Sequence, residues 1–348
     1  MMKKTIVRAI SLLLLSALLL LSLTACGENY ELRESSKKEA TPVLTLGEDT
    51  VSFEVLYTFF LNQCDNIPSF TAAYFDGAEG GARFTATLNA AIAEISEIYA
   101  LFAACRAVGI DPYSEDVEET ILEYLKITVE GGTMGENELY GFDSYDDYLD
   151  YIKEKFHMND AVNRLMLRYA ICEDLLMDYY ETTYPYTDAD VAAYFESNNC
   201  VRIIWVSRTH DAMMQSKEQN LVMMNSARNK LIEGNHNGAI QYSLEPATDF
   251  YMGRYTLDDA YYSELIDLAF TMDVGEVSEV LDLGVEGFFV IKRLAKEDAH
   301  LQERNKSITE IFLYDLQMAN ILEVSAELMQ GIVYTDFYNS LTAVDFVH

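Results

Sequence analysis

The sequence predicts an α+β protein: a discontinuous, mostly helical domain interrupted by a smaller α+β module. Three observations predict it. Residues 53–198 carry apolar side chains almost throughout at helical spacing. At Val201 the pattern changes to a β-rich run, which opens a β-α-(loop)-α-β-β order over roughly a hundred residues. Beyond Lys296 the chain becomes helical again, with an apolar stripe that nothing adjacent in sequence would cover.

Taken in order, Pro42-Val-Leu-Thr-Leu-Gly47-Glu-Asp-Thr-Val51 is a short alternating strand with a turn at Gly47. Ser52 is placed to cap a helix over residues 53–63, whose apolar side carries Val55, Leu56, Phe59 and Phe60. Residues 76–81 hold Gly77, Gly80 and Gly81; with no GKS/T ending and no preceding strand they read as a connection, not a phosphate loop. A long helix is expected over residues 83–108, from Leu88, Ile92, Ile95, Tyr99 and Phe102, ended by Gly109 and Pro112. Ser114 caps the next, to Val129, with Glu115 and Asp116 complementing its dipole, and Gly131-Gly132 stops it. Further helices are expected over residues 145–156, 160–180 and 188–197, the first started by Ser144 and the last opened by the cap box Thr187-Asp-Ala-Asp190.

In the module, Val201-Arg-Ile-Ile-Trp-Val206 reads as a strand, and residues 213–233 as a helix with Leu221, Met224, Ala227 and Leu231 on one side. Residues 240–258 are irregular, 260–271 a short helix, and residues 277–281 and 288–294 two strands. Ser307-Ile-Thr-Glu310 then reads as a capping box for a helix with Ile311, Tyr314, Met318, Ile321 and Leu328 along one face. The economical placement of that stripe is back against residues 53–198.

The N-terminus is a separate signal. Met1-Met2-Lys3-Lys4 and Arg8 precede an apolar run over residues 10–23, too short to span a ~30 Å hydrocarbon core comfortably. With Leu23-Thr24-Ala25-Cys26 behind it, this resembles a signal peptide ending in the lipobox of bacterial lipoproteins, whose Cys26 is acylated. Two acyl chains suffice for stable anchoring. The expected organisation is a signal peptide (1–25), a polar lipidated tether (26–41), a helical domain (42–200), the α+β module (201–298) and a returning helix (299–348). No other stretch is expected to span a bilayer.

The chain has 57 Asp and Glu against 24 Lys and Arg, a formal net charge of −33. Losing Lys3, Lys4 and Arg8 with the signal peptide makes the remainder more negative still. Such a charge excludes nucleic acid as a partner and, beyond the anchor, anionic lipid. It reads first as a solvated acidic surface, and second as an attraction for basic clients or cations. Cys64, Cys105, Cys172 and Cys200 form no CxxC pair and leave both disulfides and buried thiols open. His157, His210, His236, His300 and His348 are scattered without a zinc pattern, so no metal or other cofactor is expected. There is no GxSxG signature of a serine hydrolase.

The whole organisation resembles the PrsA/SurA family of extracytoplasmic folding factors, chaperone domains split by a parvulin-type (PpiC) peptidyl-prolyl isomerase module. Val43-Leu-Thr-Leu-Gly47-Glu-Asp-Thr-Val51-Ser-Phe53 is similar to the family's opening strand, glycine turn and first helix. Tyr186-Thr-Asp-Ala-Asp-Val-Ala-Ala-Tyr-Phe195 resembles the helix leading into the module, and Val201-Arg-Ile-Ile-Trp205 its first strand. Leu268-Ala-Phe270, Val274-Gly-Glu-Val-Ser278 and Gly287-Phe-Phe-Val-Ile-Lys292 match the parvulin end pattern. The departures fall on the active site. The resemblance places the family's two histidines at Trp205 and Phe289, its proline-pocket Met and Phe at about Tyr261 and Leu265, and its acidic or cysteine position near Glu245. The family's Gly-Gly-Asp-Leu-Gly run is reduced to Asp249-Phe-Tyr-Met-Gly253.

Isomerisation of an X-Pro bond crosses a barrier of ~20 kcal/mol by twisting a planar amide. A catalyst therefore needs an apolar proline pocket and polar groups that favour the twisted state. Trp205, Tyr261, Leu265 and Phe289 could form such a pocket, or a peptide groove, or simply a core, with Glu245 as the remaining polar group. The expected function is a membrane-anchored extracytoplasmic chaperone or foldase with isomerase activity weak or lost. The alternatives are an active isomerase and, from another class, a solute-binding lipoprotein. Expected partners are unfolded or newly exported polypeptides and the membrane, through the anchor on the outer face of a Gram-positive cytoplasmic membrane; whether the helical domain also pairs or swaps with a second copy is left open by the sequence.

Overall fold

A computed structural model of the chain describes residues 30–64, 71–134, 137–139, 141–244, 249–257, 259–297 and 305–347. Cys26 with its signal peptide, and Glu245, lie outside the described residues. The chain divides into two compact units: Tyr179–Met318, and Met2–Asp178 together with Ala319–His348.

The discontinuous unit opens with a hairpin, β1 (Pro42–Leu46) and β2 (Asp49–Ser52), turning at Gly47, where φ is +60°. A side chain at that turn would meet Leu328, so glycine serves both the backbone and the packing. A two-residue strand near the C-terminus (Val333–Tyr334) pairs antiparallel with β1, so both ends of the chain share one sheet. From β2 the chain passes directly into α1 (Phe53–Cys64), which buries the expected Val55, Leu56, Phe59 and Phe60. Phe346, from the other end of the chain, packs its ring 4.2 Å from that of Phe60.

The long helix α2 (Gly77–Ala107) starts earlier than expected. Gly77, Gly80 and Gly81 lie in its first turns, not in a connection, and at Gly80 the preceding backbone passes too close for any side chain. A Cβ on Gly80 would lie 2.1 Å from the carbonyl carbon of Phe75. By length and composition alone this helix could cross a bilayer, with a mean hydropathy of 1.4 over its most apolar window, yet 67% of that window is buried within the protein. It is a core helix.

Ser114 and Ser144 cap α3 (Glu115–Glu130) and α4 (Tyr145–Phe156) as expected, accepting from the amides of Val117 and Asp147. A small hairpin, β3 (Gly132–Met134) with β4 (Asn137–Leu139), was not expected between them. Next comes α5 (Asp160–Thr182). The expected free tether is not free from Tyr30 onward. The Arg33 amide donates to Asp160 at 2.8 Å, Ser35 donates to Glu54, and the Tyr30 ring lies 5.3 Å from Tyr145. Cys64, Cys105, Cys172 and Cys200 are all buried free thiols.

The inserted unit carries α6 (Asp188–Glu196) and a four-stranded antiparallel sheet. Its order is β6 (Asp249–Gly253), β5 (Cys200–Arg208), β8 (Phe288–Leu294), β7 (Leu281–Asp282). Every residue of β5 is buried, because the sheet is covered on both sides. Val201, Ile203 and Trp205 share one face with Phe289 and Ile291, under α9 (Asp259–Thr271). Ile204, Val206, Phe288 and Val290 form the other, under α7 (Lys217–Ile232) and α8 (His236–Ile240). The stretch read as irregular contains β6, and the strand expected over 277–281 is a single bridge, Val277 to Lys292, followed by β7.

The last long helix, α10 (Asn305–Gln330), begins before Ser307, so Ser307 does not cap it: a cap needs non-helical backbone, and the helix is already formed there. Its first half packs Ile308, Ile311 and Phe312 on Val191, Phe195 and Tyr251 of the inserted unit. Its second half belongs to the discontinuous unit, where Ser325 hydrogen-bonds Ser96 at 2.7 Å in a buried position.

Candidate functional site

The sheet and α9 bring three of the residues expected to line a proline pocket together, and they close it. Trp205 is 9% exposed, Phe289 3% and Leu265 0%. Trp205 stands edge-on to Phe289 and Phe250, with ring centroids 5.2 Å and 5.6 Å away. The helix presents Tyr262, not Tyr261, to this cluster: its ring lies 5.9 Å from Trp205 and 5.6 Å from Phe289. Tyr261 lies outside the cluster, half-buried on the same helix. Both tyrosines stand at helical spacing from Leu265, four and three residues away, so spacing alone does not choose between them. Phe250 could not be placed without knowing that β6 is a strand. The indole N–H of Trp205 is buried, with no hydrogen-bond partner among the described residues. What the fold assembles is a packed aromatic core with an orphan donor, not an open pocket.

A buried and a half-buried cation at the edge of this unit close helix ends. Lys296 donates to the carbonyls of Phe195 and Ser197 at the end of α6, and Arg293 to Ala269 near the end of α9 at 2.7 Å. Both complement a helix C-terminus. Burial pushes both below their ordinary pKa. Burial likewise pushes the Cys200 thiol up to about 11, so it is no nucleophile at neutral pH.

An open concavity of the same unit lies elsewhere. A cleft of about 400 Å³ separates α6 from the first half of α10. Tyr184, Tyr186, Tyr194, Phe312 and Leu316 form its apolar walls, and Asp190, Ser197 and Asn199 its polar rim. Tyr186 and Tyr194 pack on Phe312 at 6.1 Å and 5.4 Å between ring centroids. The Tyr194 hydroxyl donates to Asp315 at 2.7 Å. Asp315, 7% exposed, also accepts the amides of Arg254 and Tyr255 at 2.9 Å and 3.1 Å. Burial raises its pKa against these bonds. Gly253 makes the arrangement fit, since a Cβ there would lie 2.5 Å from the Tyr194 hydroxyl. At the rim, Thr187 and Asp190 form the capping box expected from sequence, and bonds from the Thr187 side chain and amide hold the Asp190 carboxyl below its ordinary range.

The chain is thus an α+β protein whose helical part is split by a doubly covered antiparallel module. No family model matches it and no curated protein matches it. Among solved structures it is similar to PrsA from Bacillus subtilis, at 18% identity over 72% of this chain and 87% of that one, with a TM-score of 0.27. It is also similar to the foldase protein PrsA from Streptococcus pneumoniae, at 13% identity over 88% and 99% of the two chains, with a TM-score of 0.29. A chain from the work on the SurA-like chaperones PEB4 and Cj1289 of Campylobacter jejuni is similar at 12% identity over 83% and 97%, with a TM-score of 0.20.

Proposed function

We propose that the chain is an extracytoplasmic polypeptide-binding folding factor, held at a membrane by lipid on Cys26, with isomerase turnover lost. The observation that carries the reading is the closure of the module's aromatic cluster while an aromatic cleft stays open beside it. Twisting a prolyl amide needs room for the ring and polar groups at the amide. Trp205, Leu265 and Phe289 fill that space with each other. Holding an unfolded chain needs only accessible apolar walls with a wet rim, which the cleft offers. The acidic charge, 57 Asp and Glu against 24 Lys and Arg, keeps such a protein soluble beside aggregating clients.

Two assays on the full chain test this. It is expected to delay aggregation of a chemically denatured client at stoichiometric ratio, and to leave the cis–trans relaxation of a proline tetrapeptide at the uncatalysed rate. Acceleration that Trp205→Ala abolishes would show a working isomerase instead. Failure to delay aggregation or bind any unfolded chain would remove the chaperone reading.

A further inference from the structure

We infer that the cleft between α6 and α10 is a subsite for a cationic side chain, lysine or arginine, of an extended polypeptide. This deepens the proposed function and rests on it. The cleft has the composition that recognises a cation. Four aromatic rings, Tyr184, Tyr186, Tyr194 and Phe312, line it, and a ring face attracts an ammonium or guanidinium. The lining contains one carboxylate, Asp190, and no lysine, arginine or histidine. Both Thr187 bonds to Asp190 end on Oδ2, leaving Oδ1 without a protein partner among the described residues. No described lysine or arginine pairs with Asp190. The carboxyl is held ionised, its pKa lowered by Thr187, so its charge persists to acid pH.

The rest of the molecule points the same way. A chain of net charge −33 draws cationic segments toward its surface and repels acidic ones. The stem of an arginine or lysine can lie along Tyr194 and Phe312 while its head meets the Asp190 rim, the usual division of an amphipathic side chain. A volume of about 400 Å³ has the size of a small-ligand site and takes such a side chain with its neighbouring backbone. An aliphatic side chain would gain the walls but leave the rim charge unanswered.

The test uses the full chain and three peptides of one Gly/Ser framework, carrying two central arginines, leucines or glutamates and a neutral dye, followed by fluorescence anisotropy. The arginine peptide is expected to bind about tenfold tighter than the leucine peptide, and the glutamate peptide not to bind. Asp190→Asn keeps a capping acceptor and removes the charge; with Tyr184→Ala it is expected to erase the preference at unchanged circular dichroism. Asp188→Asn, an equally exposed charge outside the cleft, is expected to leave the preference intact. Equal affinity for the leucine peptide overturns the inference, as does a preference that survives Asp190→Asn or falls equally with Asp188→Asn. The aggregation assay run on the same variants separates the two readings. A wild-type chain that holds denatured client without arginine preference loses this subsite only, whereas a chain that holds neither peptide nor client loses the chaperone reading as well.

Discussion

Asp174 sits half-buried on α5 with no ion pair or hydrogen bond among the described residues, and burial raises its pKa to about 6. Its charge is felt by Tyr124 on α3, itself pushed up, first by burial and then by Asp174. The sign follows from the direction of the shift. The folded state holds the proton more tightly than the unfolded chain, so Asp174 costs nothing below about pH 4. Its cost grows as pH rises to about 6 and stays constant above. Asp174→Asn is therefore expected to stabilise the discontinuous unit by about 1 kcal/mol at pH 7, a figure reduced for the group's partial exposure, and by nothing at pH 4. Urea unfolding at the two pH values checks it; an equal gain at both would mean the charge is irrelevant. The same scale explains one residue of the site that the sequence concealed. Tyr261 and Tyr262 are neighbours of one type, and only the rotation of α9 against β5 decides which meets Trp205.

Several elements whose cause is local were readable in advance, although the hairpin β3–β4 was missed and the cap read at Ser307 does not form. The caps at Ser114, Ser144 and Thr187 need only a side chain and an amide three residues on, and all three form. β6 was not readable, because its partner β5 lies far back in the chain and Gly253 closes the stretch like a turn. The cleft was hidden for the same reason: Tyr194 and Asp315, which fix its floor, are 121 residues apart. Gly77, Gly80 and Gly81 show the reverse error, a glycine cluster read as a loop that is the start of a helix. That element makes a paired prediction. Alanine is intrinsically about 1 kcal/mol better than glycine inside a helix. Gly81→Ala meets open space and is expected to realise up to that gain. Gly80→Ala drives a Cβ into the Phe75 backbone and is expected to lose about 1–2 kcal/mol net, since the overlap outweighs the propensity. Thermal unfolding of both variants decides it; a stabilised Gly80→Ala would show that the turn before α2 yields freely.

For the whole molecule, the proposed anchor and the observed docking of the segment behind it combine into a short leash. Only Gly27, Glu28 and Asn29 separate Cys26 from Tyr30, whose ring packs on Tyr145 and whose hydroxyl donates to Glu130. Four residue steps span at most about 14 Å fully extended. Lipid on Cys26 would thus hold the surface around Glu130 within about that distance of the headgroups, nearly twice the Debye length of about 8 Å at physiological salt but well inside the length of about 30 Å at 0.01 M. The acidic body would then stand close enough to an anionic leaflet to be repelled by it at low salt. The four described cysteines are buried, so a thiol-reactive donor dye on Glu130→Cys labels that site selectively. Energy transfer to acceptor-labelled lipid in vesicles carrying the lipidated chain is expected to be efficient. A spacer of twenty Gly/Ser residues after Gly27 adds a coil of about 25 Å and is expected to lower the transfer, most at low salt where repulsion lifts the body. Transfer that ignores both spacer and salt would mean that something other than the leash sets the height of the discontinuous unit above the membrane.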